Sequence, residues 1–228
     1  MNDFEKLAYR DQETALTGLV ARPEGAARAA VLVFPTIFNP TPAVNQKALA
    51  LADAGYLAMV ADFYGKQPEG MDQAREFALE IRPDPAVFRQ RLRASLRAMV
   101  SLPEAEGLPL AAIGFCMGGQ AVLELAREGA PFEAVASFHG LLDTDLPAEP
   151  GKISARILIC HGDADALVPR EQVLGFWDEM DRAGANWHFH SYSGVEHSFT
   201  NPANAGYNQS ADRQSWAAMH SLFDEVFS

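Results

Sequence analysis

The feature that most constrains this chain is one continuous stretch, Ala111-Ala112-Ile113-Gly114-Phe115-Cys116-Met117-Gly118-Gly119-Gln120. A small apolar strand pattern over residues 110–113 runs into a glycine-flanked cysteine and then into a helical pattern over residues 121–127. The form is Gly-x-Cys-x-Gly. A strand can pass into a helix this abruptly only through a strained turn, and neighbours without Cβ atoms let the backbone make it. The turn presents Cys116 at its tip. The N–H groups at the start of the following helix then point at the sulfur and favour a thiolate or an oxyanion there. The plain alternative is a packed core thiol beside a Gly-rich turn, since free cysteine is among the most buried residue types. The strand–turn–helix context favours the nucleophile.

The rest of the chain supplies a frame for such a turn. Residues 6–10 and 16–21 read as two short strands forming an antiparallel edge. Residues 29–34, 56–61, 134–138 and 155–160 are apolar runs of the kind buried on both faces of a sheet, and residues 186–192 alternate as a further strand. Helical patterns fall at residues 43–54, 71–81, 85–102, 171–183 and 212–227. Strands alternating with helices predict an α/β chain: a mostly parallel central sheet with helices on both faces. Together with the Gly-x-Cys-x-Gly turn this is the α/β-hydrolase fold, expected as a single domain over residues 1–228.

Composition excludes several classes. A formal net charge of −12 argues against a nucleic-acid partner, which needs clustered Lys and Arg. Arg89, Arg91, Arg93 and Arg97 are a local exception, and their helical spacing reads as a solvated face. Two cysteines make no disulfide framework, and Cys160 reads as a packed strand residue. Reduced thiols suit a cytoplasmic location. Residues 1–6 lack the apolar core of a signal peptide, and no apolar run approaches membrane-spanning length, so no membrane partner is expected.

In open α/β sheets the chemistry collects beyond the carboxyl ends of the strands. The residues found there are Thr36, Ile37, Tyr64, Cys116, His139, Asp163, Asp165 and His197. Their order along the chain is nucleophile, acid, histidine, as in α/β-hydrolase triads. A thiol of pKa ~8.5 needs a base near neutral pH, and His197, in a loop before the last helix, can supply one. Spacing alone does not choose between Asp163 and Asp165 as the acid that orients it. His188 and His190 alternate on the preceding strand and read as an exposed face rather than a metal pair, so neither metal nor cofactor is expected.

These residues resemble the dienelactone hydrolase family. The matching motifs are Asp62-Phe63-Tyr64-Gly65, Gly114-Phe115-Cys116-Met117-Gly118-Gly119, His161-Gly162-Asp163-Ala164-Asp165 with Val168-Pro169, and His197-Ser198-Phe199. The resemblance implies hydrolysis of a carboxylic ester or lactone by a Cys116–His197–Asp165 triad. It assigns the acid to Asp165 and the oxyanion hole to the backbone N–H groups of Met117 and Ile37, two donors of the kind a tetrahedral oxyanion needs. It also departs from the family. Thr36 stands where dienelactone hydrolases carry a glutamate, and Asn201 stands where they carry an arginine four places after the histidine. Arg75 is the candidate for a further carboxylate-binding arginine. Thr36, Tyr64, Arg75, His139 and Phe199 are therefore the expected substrate contacts, with an uncharged small-molecule ester or lactone preferred over an anionic one. A thiol-redox protein or a non-catalytic scaffold using Cys116 without acyl transfer is the alternative. The expected state is monomer or homodimer.

Overall fold

The computed structural model describes residues 4–227; residues 1–3, part of the segment read above for a signal peptide, lie outside the described residues. The chain divides into two compact units, Met1–Ala111 and Ala112–Ser228.

In the first unit, β1 (Glu5–Asp11) and β2 (Thr14–Ala21) pair antiparallel, as their alternating patterns predict. The tight connection puts Gln12 at φ 50°. After β3 (Ala30–Phe34) come α1 (Pro42–Asp53), β4 (Leu57–Val60), α2 (Met71–Ile81) and α3 (Pro85–Val100). The strand order is β1-β2-β4-β3, with β2 antiparallel and β3 parallel to β4. β3 and β4 are buried at every position, the signature their unbroken apolar runs carry. Thr41 caps α1 by accepting from the Val44 N–H, and Asp84 caps α3 by accepting from the Ala86 and Val87 N–H groups.

The loops after β3 and β4 are fixed by two buried polar residues. Asp62 Oδ1 accepts from Asn39 Nδ2 (2.7 Å) and from the Tyr64 and Gly65 N–H groups, while its Oδ2 accepts from the Thr17 N–H. Asn39 Oδ1 accepts in turn from the Phe63 N–H. The arginine stretch corrects the expectation of a solvated face: Arg93 and Arg97 are exposed, but Arg89 and Arg91 are buried. Arg91 is held by charge, donating to Asp11 Oδ2 at 2.7 Å, and it also donates to the Phe63 carbonyl.

The second unit holds β5 (Leu110–Phe115), α4 (Met117–Arg127), β6 (Ala134–Phe138), β7 (Arg156–Gly162), α5 (Arg170–Ala183), β8 (Asn186–Tyr192) and α6 (Gln209–Val226). The order is β5-β6-β7-β8, with β6, β7 and β8 parallel. Several boundaries differ from the sequence reading: α4 begins at Met117, four residues early, α6 begins at Gln209, three residues early, β5 runs two residues further to Phe115, and β7 continues through His161 and Gly162, which pair with Ser191 and Tyr192 of β8. α4 is anchored by a buried arginine: Arg127 donates to Glu124 (2.9 Å), to both oxygens of Glu179 (2.9 and 2.8 Å) and to the Leu142 carbonyl (2.6 Å). Glu179 also accepts from the Ala148 N–H, so this one cluster ties α4, α5 and the loop after β6 together.

Candidate active site

Cys116 lies between β5 and α4 with φ 56° and ψ −116°, a backbone that residues with a Cβ rarely adopt. The turn closes because Gly114 has no side chain: a Cβ there would land on the Gly118 carbonyl. Gly119 has the same function one turn on, since a Cβ would stand 2.6 Å from the Gly140 Cα. α4 can therefore press directly onto the residues after β6. The Cys116 N–H reaches the Phe138 carbonyl (3.0 Å) and His139 Nδ1 (3.1 Å). Met117 is the first residue of α4, where a helix directs N–H groups outward along its axis.

The two candidate acids differ in their surroundings. Asp165 Oδ2 is 2.7 Å from His197 Nδ1, and the Asp165 side chain is 0% exposed. Its other oxygen accepts from the Leu167 N–H at 2.9 Å, so the carboxylate is held from both sides. Asp163 is exposed. The loop carrying His197 approaches closely because Gly162 lacks a Cβ, which would meet the Val195 carbonyl. Burial alone would lower the pKa of His197, but the Asp165 carboxylate and the Cys116 sulfur outweigh it and raise the value to about 10. Nε2 of His197 is buried, and the Cys116 sulfur is one of the groups that raise this ring. In contrast, Cys160 is fully buried and its thiol is pushed up to about 12 by that burial.

The structure brings Cys116, Asp165, His197, His139 and Phe199 together in the second unit. His139 and Phe199 are 1% and 0% exposed. Their rings meet edge to face at 5.2 Å, and His139 meets His197 in the same way at 5.1 Å, so His139 packs against His197 and Phe199 against His139 instead of facing solvent. In the first unit, Thr36 and Ile37 are half-buried in a turn closed by the Asn39 N–H on the Thr36 carbonyl (3.0 Å). Tyr64 is buried against Phe63 and Phe77, and Arg75 is exposed on α2. His188 and His190 are exposed on β8 as expected.

Two residues of the site escaped the sequence reading. Thr200 is buried and its hydroxyl is 2.8 Å from His139 Nε2; a threonine in a loop has no pattern by which to find it. His161 is buried with Nδ1 unbonded and a pKa lowered by burial, opposed by the charges of Asp165 and Asp163. Its place in His161-Gly162-Asp163 was the available signal.

The model of the dienelactone hydrolase family matches residues 16–227. A carboxymethylenebutenolidase of Pseudomonas putida is 27% identical over 85% of this chain and 84% of its own length. Among solved structures, one named m3DLH superposes with a TM-score of 0.91 at 38% identity, covering 99% of both chains. A dienelactone hydrolase-like promiscuous phosphotriesterase from metagenomic libraries superposes at 0.92 with 34% identity, covering 99% of this chain and 98% of its own.

Proposed function

Since the chain belongs to the dienelactone hydrolase family and is a hydrolase of esters or lactones, we propose that it works through an acyl-enzyme on Cys116, with His197 as proton carrier and Asp165 as its orienting acid. The observation that carries this reading is the 2.7 Å bond from Asp165 to His197 Nδ1, which leaves Nε2 on the side of the ring influenced by the Cys116 sulfur. In this mechanism the thiolate attacks the carbonyl carbon, and the electron pair moves to the carbonyl oxygen. The Met117 N–H, at the start of α4, stabilises that oxyanion, and the family likeness assigns the second donor to the Ile37 N–H. Collapse expels the alkoxide, which takes its proton from His197 Nε2–H. Water then attacks the thioester, giving a proton to His197, and the acid leaves as the Cys116 thiolate and the His197 imidazolium are regenerated. A free nucleophilic thiol suits the reducing cytoplasm.

Substrate charge follows from what stands near the base. Four residues after His197, Asn201 makes a turn by accepting from the Ala203 N–H, so no cation is offered at that position. A protein of net charge −12 needs a local cation to hold an anionic substrate. We therefore assign it neutral small esters or lactones in preference to carboxylate-bearing dienelactones. Likeness to the promiscuous phosphotriesterase favours a second reading, in which the same thiolate attacks a neutral phosphate triester.

The test is a panel of p-nitrophenyl acetate, an anionic dienelactone and a diethyl aryl phosphate, with mass spectrometry of the quenched Cys116 peptide. The expected result is highest kcat/KM on the neutral ester and an acyl adduct on Cys116. Cys116→Ala should lose on the order of 10⁴-fold or more, and Cys160→Ala should stay active. An active Cys116→Ala refutes the mechanism. A preference for the dienelactone, lost in Arg75→Ala, refutes the substrate assignment.

A further inference from the structure

The proposed mechanism leaves the His139 side chain without a role. We propose that His139, with Thr200, is a positioning pair: a neutral imidazole that clamps the backbone of the nucleophile to the loop carrying the base. The inference rests on the Cys116–His197–Asp165 reading and extends it.

The argument begins with strain. In the second unit the non-glycine residues with positive φ, among those described, are Cys116 (56°), His139 (41°) and Ser198 (61°). Such residues cost roughly 1–3 kcal/mol each and persist only where their surroundings over-determine them. All three belong to one constellation. Cys116 is the nucleophile, Ser198 follows the base directly, and His139 touches both neighbourhoods.

Hydrogen-bond chemistry then fixes the state of the His139 ring. A backbone amide can only donate, so the Cys116 N–H at 3.1 Å requires an unprotonated Nδ1. A neutral imidazole must then carry its proton on Nε2, which donates to Thr200 Oγ1 at 2.8 Å. The result is a directed chain from the amide of residue 116, through the ring, to the hydroxyl three residues beyond His197. His139 and Thr200 are 1% and 5% exposed, so water does not compete for either bond. The ring's own backbone is fixed too, its N–H donating to the Cys160 carbonyl at 2.8 Å. A protonated ring would turn an N–H against the Cys116 amide and place a second cation beside His197, whose ring centroid is 5.1 Å away.

This linkage matters because the reacting atoms ride on two separate pieces of chain. The sulfur is carried by a strained turn after β5 and Nε2 of His197 by the loop after β8. A small rotation at either strained residue changes the distance between them, and a misplacement of about 1 Å can cost roughly 10²-fold in rate. The Phe138 carbonyl holds the turn alone. His139 holds the turn and the loop to each other.

The experiment compares Thr200→Val and Thr200→Ser with the wild type, reading the acylation burst with p-nitrophenyl acetate, Cys116 alkylation by iodoacetamide and the melting temperature. Long-range 1H–15N spectra of the wild type report the His139 tautomer without any substitution. The expected results are an Nε2–H ring at neutral pH, and a roughly tenfold or greater fall in acylation and alkylation rates for Thr200→Val with little change in KM. Thr200→Ser, which keeps the hydroxyl, should recover most of the loss. An Nδ1–H or doubly protonated His139 overturns the inference, as do wild-type rates in Thr200→Val or a Thr200→Ser as slow as Thr200→Val. Should Cys116→Ala remain active, this inference falls together with the mechanism. Should Cys116→Ala be dead while Thr200→Val is unimpaired, the inference falls alone.

Discussion

Replacing Asp165 by asparagine isolates what the acid does, because the side chain keeps its shape and loses only its charge and one acceptor. Asp165 now accepts on both sides, from the Leu167 N–H (2.9 Å) and from His197 Nδ1 (2.7 Å). Asparagine has one oxygen and one NH₂. If its oxygen keeps the Leu167 bond, its NH₂ faces His197, and Nδ1 must then become the acceptor. The neutral ring's proton moves to Nε2, so the ring can no longer take the thiol proton. Electrostatics adds to this. The rise of His197 from 6.5 to about 10 is worth about 5 kcal/mol at 1.36 kcal/mol per pKa unit, shared between Asp165 and Cys116. The wrong tautomer is the larger cost and carries the loss toward ~10⁴-fold. The assay is kcat/KM on p-nitrophenyl acetate from pH 5 to 10, with melting temperature as control. Asp163→Asn, at an exposed position, should change neither. The reasoning is refuted if Asp165→Asn keeps a tenth of the wild-type rate, or if Asp163→Asn loses as much.

Two further outcomes are expected. The raised His197 imidazolium should speed iodoacetamide labelling of Cys116 at neutral pH, so His197→Ala should label more slowly than the wild type; equal labelling rates count against it. Arg127→Ala leaves Glu124 and Glu179 buried without their partner and should cost about 3–5 kcal/mol in urea denaturation at pH 7. Although burial pushes the Glu179 carboxyl up, its bonds to Arg127 and the Ala148 N–H hold it below the ordinary range. Its contribution is therefore present above the unfolded pKa and lost as pH falls through the folded one, so the gap between wild type and Arg127→Ala should narrow toward pH 4. A gap that is constant with pH counts against this account.

Much of the fold was legible because its signals are local. The bounds of α2, β6 and β8 follow directly from their hydrophobic periods. The errors have a common cause in long-range contacts. Gly118 and Gly119 read as turn because glycine disfavours helices, yet both lie in α4, where a Cβ at Gly119 would collide with the residues after β6. Arg89 and Arg91 read as solvated because arginine is seldom buried, and the carboxylate that draws Arg91 inward comes from Asp11, 80 residues away. In the proposed site, chain order suggests Cys116 and His197 and the family resemblance suggests Asp165, while spacing alone leaves Asp163 open; His139 was read as a substrate contact because only the folded chain supplies the Cys116 amide and Thr200 as its partners.

The choice of cysteine at position 116 is consistent with the electrostatics around it. A general base works best with a pKa near the operating pH, and His197 is raised to about 10. That value suits poorly a nucleophile that must surrender its proton during the reaction, as a hydroxyl does. It suits a thiol, which is intrinsically more nucleophilic and leans less on a base, because the imidazolium then holds the proton the leaving alkoxide will need. A thiol can be ionised near neutral pH and a serine hydroxyl cannot. The carboxylate of Asp165, buried and bonded on both oxygens, keeps that imidazolium charged against the burial that would discharge it. In the proposed mechanism the raised histidine and the buried acid are thus one design, in which the carboxylate keeps on the ring the proton that the leaving alkoxide needs.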